Sequence, residues 1–357
     1  MAPSNDGEDR AGSLARARQL VLAHGWNATT YQILNPGIAH WFAAAGDAVI
    51  GYARHHGVIV VAGAPVCAVD RLPAVIGEFE GWAAARGLRV CYFCAEARLE
   101  GALRGSASHS FVLLGAQPAW DPAHWPPIIA ARASLRAQLN RARNKHVAVT
   151  EWPAHRAHQH PELRRCLREW LATRGLPPMH FLVEPETLGL LEDRRVFVAE
   201  RDGRDVVGFL LASPVPERRG WLVEQIIRGR GAPNGTNELL IDAAMRVFAA
   251  EGSAYVTLGL SPLSRRANVD EGANPVWLRG VLAWVRAHGR RFYNFDGLDA
   301  FKAKFQPERW EPVYAIANEQ RVRPMTLFAT AAAFSGGSPV AMVAQALVRA
   351  ARTEAQW

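Results

Sequence analysis

Lysine is nearly absent from this 357-residue chain, which has three lysines, Lys145, Lys302 and Lys304, against 38 arginines. A compact ammonium group approaches oxygen atoms as a point charge and changes its pKa more readily than a guanidinium, so its rare use is informative. Two of the three lysines lie two residues apart among the aromatic side chains of Phe292–Tyr314. We interpret this pair as groups that bind phosphate or stabilise an oxyanion. The alternative is that both are solvated charges near a helix end.

Metal-ligating residues are also few. Cys91 and Cys94 form the single C-x-x-C pair, and they lie in an apolar run that is typical of a buried strand. Residues three apart on a strand point to opposite faces, so we predict two core cysteines and no metal site. The spacing of His155, His158 and His160 allows a metal site, but their polar surroundings favour a surface loop.

The sequence has neither an N-terminal apolar segment typical of a secretory signal nor an unbroken C-terminal apolar run. Pro324–Val348 carries no charge, but its Thr, Ser, Gly and Gln residues divide it. This predicts two short helices that pack on the protein or lie on a membrane surface, rather than a transmembrane helix. The net charge of +8 and the pI near 9.8 favour anionic partners such as nucleic acid or an acidic membrane.

Both halves of the chain have the pattern of an α/β (α+β) fold in the order β-β-α-β, which suggests an internal duplication. The predicted strands of the first half are 48–54, 58–63, 88–94 and 110–114, with a helix over 71–86. The predicted strands of the second half are 196–200, 206–212, 221–227, 254–260 and 313–317, with a helix over 236–250. Between the halves, residues 132–146 have helical propensity and no acidic residue. We expect this basic helix to bind RNA or lipid headgroups through Arg132, Arg136, Arg141, Arg143 and Lys145.

Two stretches carry a family resemblance. YNFDGLDAFKAKFQPERWEPVY, which ends at Tyr314, and Arg228–Ser264 resemble blocks of the bacterial phosphatidylglycerol lysyl- and alanyltransferases (the DUF2156 catalytic domain). Weaker similarity covers Val61–Val69 and Ser134–Val149. The chain departs from the family pattern at Val313, where the family tends to carry an arginine.

The resemblance implies tandem GNAT-like acyltransferase domains with mixed, mostly antiparallel sheets. We place a flexible N-terminus at 1–20, the first domain at 21–131 and the basic connecting helix at 132–150. The second, catalytic domain is placed at 151–320 and apolar C-terminal helices at 321–357. The resemblance also implies transfer of an aminoacyl group from aminoacyl-tRNA to a hydroxyl of an anionic lipid such as phosphatidylglycerol, with no cofactor. The expected location is the cytoplasm, peripheral to the inner face of the membrane. A separate flippase would move the lipid product.

The glycine-rich loop Arg228–Gly235 precedes a helix, at the position where GNAT enzymes bind the pyrophosphate of coenzyme A. Its candidate substrate-binding residues are Arg228, Arg230, Asn234 and Gly235. Pro233 removes one N–H donor from this loop, and an ordinary turn with a helix cap is the alternative.

The implied ester exchange needs a base, oxyanion donors and positioning groups. Glu224 and Asp296 are the candidate bases, although Glu224 could equally be a structural carboxylate paired with an arginine. Lys302 and Lys304 complete the catalytic candidates. The remaining substrate-binding candidates in the aromatic segment are Tyr293, Asn294 and Trp310. Two rival functions stay open: a GNAT-type enzyme that uses acyl-CoA or a non-lipid acceptor, and a catalytically degenerate RNA- or membrane-binding module.

Overall fold

The computed structural model describes residues 6–175, 177–269 and 294–342, with positions 280, 344 and 345. Its helices are α1 (Asp6–His24), α2 (Leu72–Ala84), α3 (Ala97–Leu103), α4 (Trp125–Ala131), α5 (Ala133–Arg143), α6 (Ala154–Ala157), α7 (Pro161–Ala172), α8 (Thr236–Ala250), α9 (Phe295–Ala303) and α10 (Pro324–Phe334). Its strands are β1 (Ala39–Phe42), β2 (Val49–His55), β3 (Val58–Ala62), β4 (Arg89–Ala95), β5 (Ser110–Trp120), β6 (Val147–Trp152), β7 (Arg195–Arg201), β8 (Asp205–Val215), β9 (Gly220–Arg228), β10 (Tyr255–Thr257), β11 (Ser261–Pro262) and β12 (Arg309–Ala317).

Over these ranges the strands join in one sheet, in the order β1-β2-β3-β4-β12-β5-β10-β9-β8-β7-β6, with β11 beside β5. The pairs β3–β4 and β9–β10 are parallel, and the other neighbours are antiparallel. A parallel pair needs a crossover connection, which α2 and α8 supply. The predicted fold class, α/β with a mixed and mostly antiparallel sheet, is confirmed.

The two halves exchange their last strands. β5, the last strand of the first half, pairs with β10 of the second half. β12, the last strand of the second half, pairs with β4 of the first. β5 and β12 also pair with each other from Arg309–Ala119 to Ala317–Ser110. The exchange makes the sheet continuous across the molecule. The predicted domain boundaries stay a prediction, apart from the N-terminus.

The N-terminus was predicted to be flexible over residues 1–20, and this is wrong for residues 6–20, which belong to α1. Its polar composition conceals an apolar spacing of four, because Ala17 and Val21 are fully buried in the core of the first half. Arg18 fixes the helix further by donating to Asp193 at 2.6 Å.

The C-x-x-C cysteines are free and buried, as predicted for core residues. The expectation that they point to opposite faces is wrong, because both lie in the same core cluster. Cys94 has a φ of +63° and lies at a β-bulge, where the register of β4 against β12 shifts. Burial raises the pKa of Cys91 to about 12 and that of Cys94 further still. Both thiols therefore resist ionisation.

The C-terminal apolar segment begins as α10, whose buried face packs on the first-half core through Ala329 and Ala333. The packing alternative is confirmed for this helix. No helix in the described ranges is both long and apolar enough to cross a bilayer.

Candidate functional site

The parallel strands β9 and β10 separate after a short contact. Tyr255–Thr257 pairs with Gly220–Leu222, and β10 then ends, three residues earlier than predicted. The chain turns at Gly259, whose φ of +71° favours glycine. The main chain of Gly259 and Leu260 thereby leaves the β9 ladder and becomes available to another element.

Lys302, on α9, contacts this main chain directly after β10. Its Nζ donates to the carbonyl oxygens of Gly259 at 2.8 Å and Leu260 at 2.9 Å. Only 5% of the residue is exposed, and burial lowers its pKa from 10.5 to about 7, with Asp299 acting in the opposite direction. The group can therefore gain or lose a proton near neutral pH.

Lys304 lies in different surroundings. Its Nζ is 2.6 Å from Oε1 of Glu238, in the first turn of α8, and 4.0 Å from the centre of the Phe301 ring. The two lysines thus join α9 to two places, the end of β10 and the start of α8. Nothing in these contacts tests their predicted catalytic roles, which stay predictions.

Glu224 lies at a bulge in β9, where Leu211 is opposite Gln225 and Ala212 is opposite Val223. Its carboxylate accepts from Nε of Arg194 at 2.9 Å, and both side chains are nearly buried. This is the ion pair that the structural alternative for Glu224 describes. Its role as a base stays a prediction.

Arg194 is itself held by several groups. It donates to the Leu190 carbonyl at 2.7 Å and to Oδ1 of Asn35 at 3.1 Å, and it lies over the Tyr31 ring. The pair with Glu224 is therefore built from both halves of the protein. Sequence reasoning missed Arg194, because its partners lie from four to about 160 residues away.

Several N–H groups of the loop before α8 already donate to acceptors within the protein. The N–H of Gly229 donates to Val207 at 2.9 Å, and that of Arg230 donates to Oε2 of Glu169 at 2.9 Å. The N–H groups of Ala232 and Thr236 bond to carbonyls within the loop. Fewer donors than the sequence suggested are therefore directed at a ligand.

Gly235, at the end of this loop, has a φ of +95°. A Cβ at this position would lie 2.1 Å from the carbonyl oxygen of Gln138 on α5, so the glycine permits close packing of the loop on the basic helix. The side chains of Arg228, Arg230 and Asn234 are exposed around it.

The start of α9 is capped by Asn294, whose Oδ1 accepts from the N–H of Gly297 at 2.9 Å. Asp296 lies in the first turn of this helix, and Tyr293 lies outside the described residues.

A polar cluster that sequence reasoning missed continues from α9. Asp299 accepts from Ser264 at 2.6 Å and from Arg266 at 2.7 Å, and Arg266 lies 5.4 Å from the Trp310 ring. The signal for Ser264 was present, since it closes the second block that resembles the family.

The predicted basic helix is present as α5. Arg132, Arg141 and Lys145 are exposed at or near its ends. Arg136 and Arg143 are exposed as well, and both also bond to neighbouring helices. Arg136 donates to the carbonyls of Ile129 and Ala130 at the end of α4, and Arg143 pairs with the buried Asp242 at 3.2 Å.

Val313 is buried, 1% exposed, in β12 opposite Gly115 of β5. It belongs to the first-half core. An arginine there would need a buried partner, so this position contributes packing and not charge.

A mixed, mostly antiparallel sheet of two repeated halves, in which the parallel strands β9 and β10 pair over only a short stretch, is a GNAT-like fold. The chain belongs to the family described as phosphatidylglycerol lysyltransferase, C-terminal, whose model matches residues 17–317. The phosphatidylglycerol lysyltransferase of Bacillus subtilis (strain 168) is 26% identical over 291 residues. The aligned part is 81% of this chain and 33% of that protein, so the chain spans about a third of the length of this curated relative.

Two solved structures share the fold. The C-terminal DUF2156 domain of a protein described as a lysylphosphatidylglycerol synthetase from Agrobacterium fabrum has a TM-score of 0.77 and 22% identity, covering 92% of this chain and 98% of that one. The structure called L-PGS from Bacillus licheniformis has a TM-score of 0.74 and 22% identity, covering 89% and 95%.

Proposed function

We propose that this chain transfers an aminoacyl group from aminoacyl-tRNA to a hydroxyl of an anionic lipid such as phosphatidylglycerol. The observation that carries the proposal is the buried amine of Lys302, held by the carbonyls of Gly259 and Leu260 directly after β10. It lies in a chain whose family is named for a lysyltransferase. The coarser part of the proposal, aminoacylation of a lipid, is supported by the name of the Bacillus subtilis relative.

In the proposed reaction the lipid hydroxyl oxygen attacks the carbonyl carbon of the aminoacyl ester. A tetrahedral oxyanion forms, and the bond from that carbon to the ribose oxygen then breaks. The proton of the lipid hydroxyl ends on the ribose oxygen. One ester replaces another, so the exchange balances without an oxidant, a reductant or a nucleoside triphosphate.

In this scheme Lys302 stabilises the oxyanion. An ammonium group has three N–H donors, and two of those of Lys302 are directed to Gly259 and Leu260. These two bonds fix the nitrogen, and the third donor is assigned to the developing negative charge. A donor fixed beforehand stabilises that charge without reorganisation.

The base is assigned to Asp296 rather than Glu224. Glu224 already accepts from Arg194 within a nearly buried ion pair, which favours an orienting role. Asp296 lies six residues before Lys302 on the same helix. Trp310, beside Arg266, is assigned to substrate binding.

The proposal is tested by incubating the purified protein with radiolabelled aminoacyl-tRNA and phosphatidylglycerol, followed by mass spectrometry of the lipid extract. We expect an aminoacylated lipid that depends on both substrates. Label that stays on tRNA under these conditions, while acetyl-CoA supports acylation of the same or another acceptor, would overturn the donor assignment.

A further inference from the structure

A second cationic site lies away from Lys302, where α10 begins. A cavity of about 960 Å³ is lined there by residues of the first half and of the segment after β12. Three of its lining residues are arginines, Arg89, Arg321 and Arg323, and polar atoms of Ser108 and Asn318 accompany them. The proposed transfer reaction uses none of these groups.

The charge of this cavity is only partly compensated. Glu319 faces Arg89 at 3.4 Å and Arg323 at 3.6 Å. Its other carboxylate oxygen accepts from the N–H of Arg323 and from the hydroxyl of Thr326, in the first turn of α10. Two of the three guanidinium groups therefore share one buried carboxylate, and the exposed Arg321 and Arg323 give the opening a positive potential.

Apolar side chains continue from the cavity along α10. Met325 is 46% exposed and Phe328 is 38% exposed, and their spacing of three places them on one face of the helix. The opposite face already packs on the core through Ala329 and Ala333. The exposed face is therefore available to a partner outside the described chain.

The cationic and apolar parts belong to one surface. The ring of Phe328 packs edge-on against His56, 5.0 Å away, at the turn between β2 and β3. The carbonyl of the next residue, Gly57, accepts from the N–H of Arg89 at 3.1 Å. The turn thus links the apolar face of α10 to the arginine cavity.

We propose that this docking surface, formed by Arg89, Arg321, Arg323, Met325 and Phe328, binds the anionic headgroup face of a phospholipid bilayer. The arginines contact lipid phosphate at the cavity, and Met325 and Phe328 enter the boundary between headgroups and acyl chains. The inference deepens the proposed function and rests on it for the choice of lipid as partner. Exposed apolar side chains beside the cations favour a bilayer over a nucleic-acid backbone, which offers phosphates without an adjoining apolar layer.

Flotation with vesicles tests this surface. The probes are vesicles of phosphatidylcholine alone and of phosphatidylcholine with phosphatidylglycerol. We expect binding only to the anionic vesicles, with a roughly tenfold or greater loss of affinity in the double variant Arg321→Gln/Arg323→Gln. The double variant Met325→Ser/Phe328→Ser should bind more weakly than the wild type at high salt as well as at low salt, because salt screens contacts between charges and not apolar contacts. The matched control is Arg164→Gln/Arg168→Gln, which removes two exposed charges from α7 and should bind as the wild type does.

Transfer assays separate the docking surface from the reaction. With a short-chain phosphatidylglycerol below its micelle concentration, both docking variants should transfer at the wild-type rate. Wild-type vesicle binding without any transfer would reject the proposed function and keep the docking surface. Docking variants that fold, as judged by their melting curves, and bind anionic vesicles like the wild type would overturn the inference. Loss of tRNA affinity with unchanged vesicle binding would also overturn it, in favour of RNA.

Discussion

Lys302 is a cation removed almost completely from water, and two main-chain carbonyls are its direct partners. A guanidinium is larger and planar, so it cannot replace a compact ammonium at these two carbonyls without moving the main chain. We predict that Lys302→Met and Lys302→Arg each lower the transfer rate at least about tenfold, equivalent to about 1.4 kcal/mol. Single-turnover transfer measures this. Lys304→Arg, which keeps a cation beside Glu238, should lose less, and full activity in Lys302→Met would contradict the assignment.

The same lysine should make stability depend on pH. Its folded-state pKa of about 7 lies below its ordinary 10.5, so the unfolded chain binds this proton more strongly. The stability that Lys302 contributes is present above pH 10.5 and is lost as the pH falls towards 7. We predict that the free energy of unfolding rises with pH over this window more steeply in the wild type than in Lys302→Met, by roughly 5 kcal/mol at most. Guanidinium unfolding at several pH values measures this, and parallel curves would contradict it.

Sequence reasoning found residues whose chemical type is rare and missed those that matter through distant partners. Lys302 was found because lysine is scarce in this chain. Arg194 was not found, because one of many arginines becomes distinctive only when the fold brings Asn35 and Glu224 to it. Cys94 was placed on the wrong face, because a single bulge reverses the alternation that a regular strand predicts.

The basic helix α5 has different roles along its length. All five of its cations are exposed, but Arg136 and Arg143 also bond to neighbouring elements. We predict that replacing Arg132, Arg141 and Lys145 with glutamine flattens the log–log salt dependence of tRNA binding by about two to three units. Filter binding over a range of salt concentrations measures this slope.

The control for this experiment lies on the other face of the sheet. α7 packs with the opposite core cluster to that of α5, and it carries the exposed pair Arg164 and Arg168. Replacing that pair with glutamine should leave the slope unchanged. Arg143→Gln should mainly lower stability, because it removes a partner of the buried Asp242. An unchanged slope in the triple variant would indicate that the charged ends of α5 are only solvated.

The loop before α8 distinguishes the two candidate donors, aminoacyl-tRNA and acyl-CoA. Because the N–H groups of Gly229, Arg230 and Ala232 already have acceptors, few remain for a pyrophosphate. We predict that acetyl-CoA leaves the melting temperature unchanged and that aminoacyl-tRNA raises it. A ligand at 100 times its dissociation constant adds about 2.7 kcal/mol, which a melting curve resolves. A shift with acetyl-CoA and none with tRNA would support the acyl-CoA alternative.

Most elements could be predicted from local patterns, and the bounds of α8 agree at both ends. The predicted strands in β5, β8 and β12 are too short for a shared reason. Each real strand contains a proline, Pro118, Pro214 or Pro312, that reads as a strand breaker. Each strand continues past its proline because it pairs with a neighbouring strand. A local sequence pattern contains no information about that neighbour, so it predicts a shorter strand.

The exchange of final strands is a property of the whole molecule that no local pattern predicts. The repeated β-β-α-β order indicated two halves, but the register of β12 against β4 and β5 depends on residues about 200 positions apart. The exchange places Glu311 of β12 beside Arg218, and Arg218 also reaches Glu96 at the end of β4. The buried Glu96 and the partly buried Arg218 and Glu311 thus meet where the halves join.

The pKa of Glu96 makes the contact between the halves sensitive to pH. Burial, with the nearby Glu311, raises this pKa from 4.5 to about 7, against the opposing effects of Arg218 and of the N–H of Ala28. Since the folded-state pKa is raised, the stability from Glu96 is present below pH 4.5 and lost as the pH rises through 7. Glutamine resembles the protonated form at every pH. We predict that the free energy of unfolding of the wild type falls relative to that of Glu96→Gln between pH 4.5 and pH 8, by roughly 3 kcal/mol. Guanidinium unfolding of both proteins across this range measures the change.

The altered bond to Arg218 is expected to shift the free energy of unfolding of Glu96→Gln by an amount that does not depend on pH. Glu192→Gln, at a well-exposed carboxylate, serves as the control. Parallel curves for the wild type and Glu96→Gln would mean that Glu96 ionises in the folded protein as it does in the unfolded chain, and that the buried cluster joins the halves without a dependence on pH.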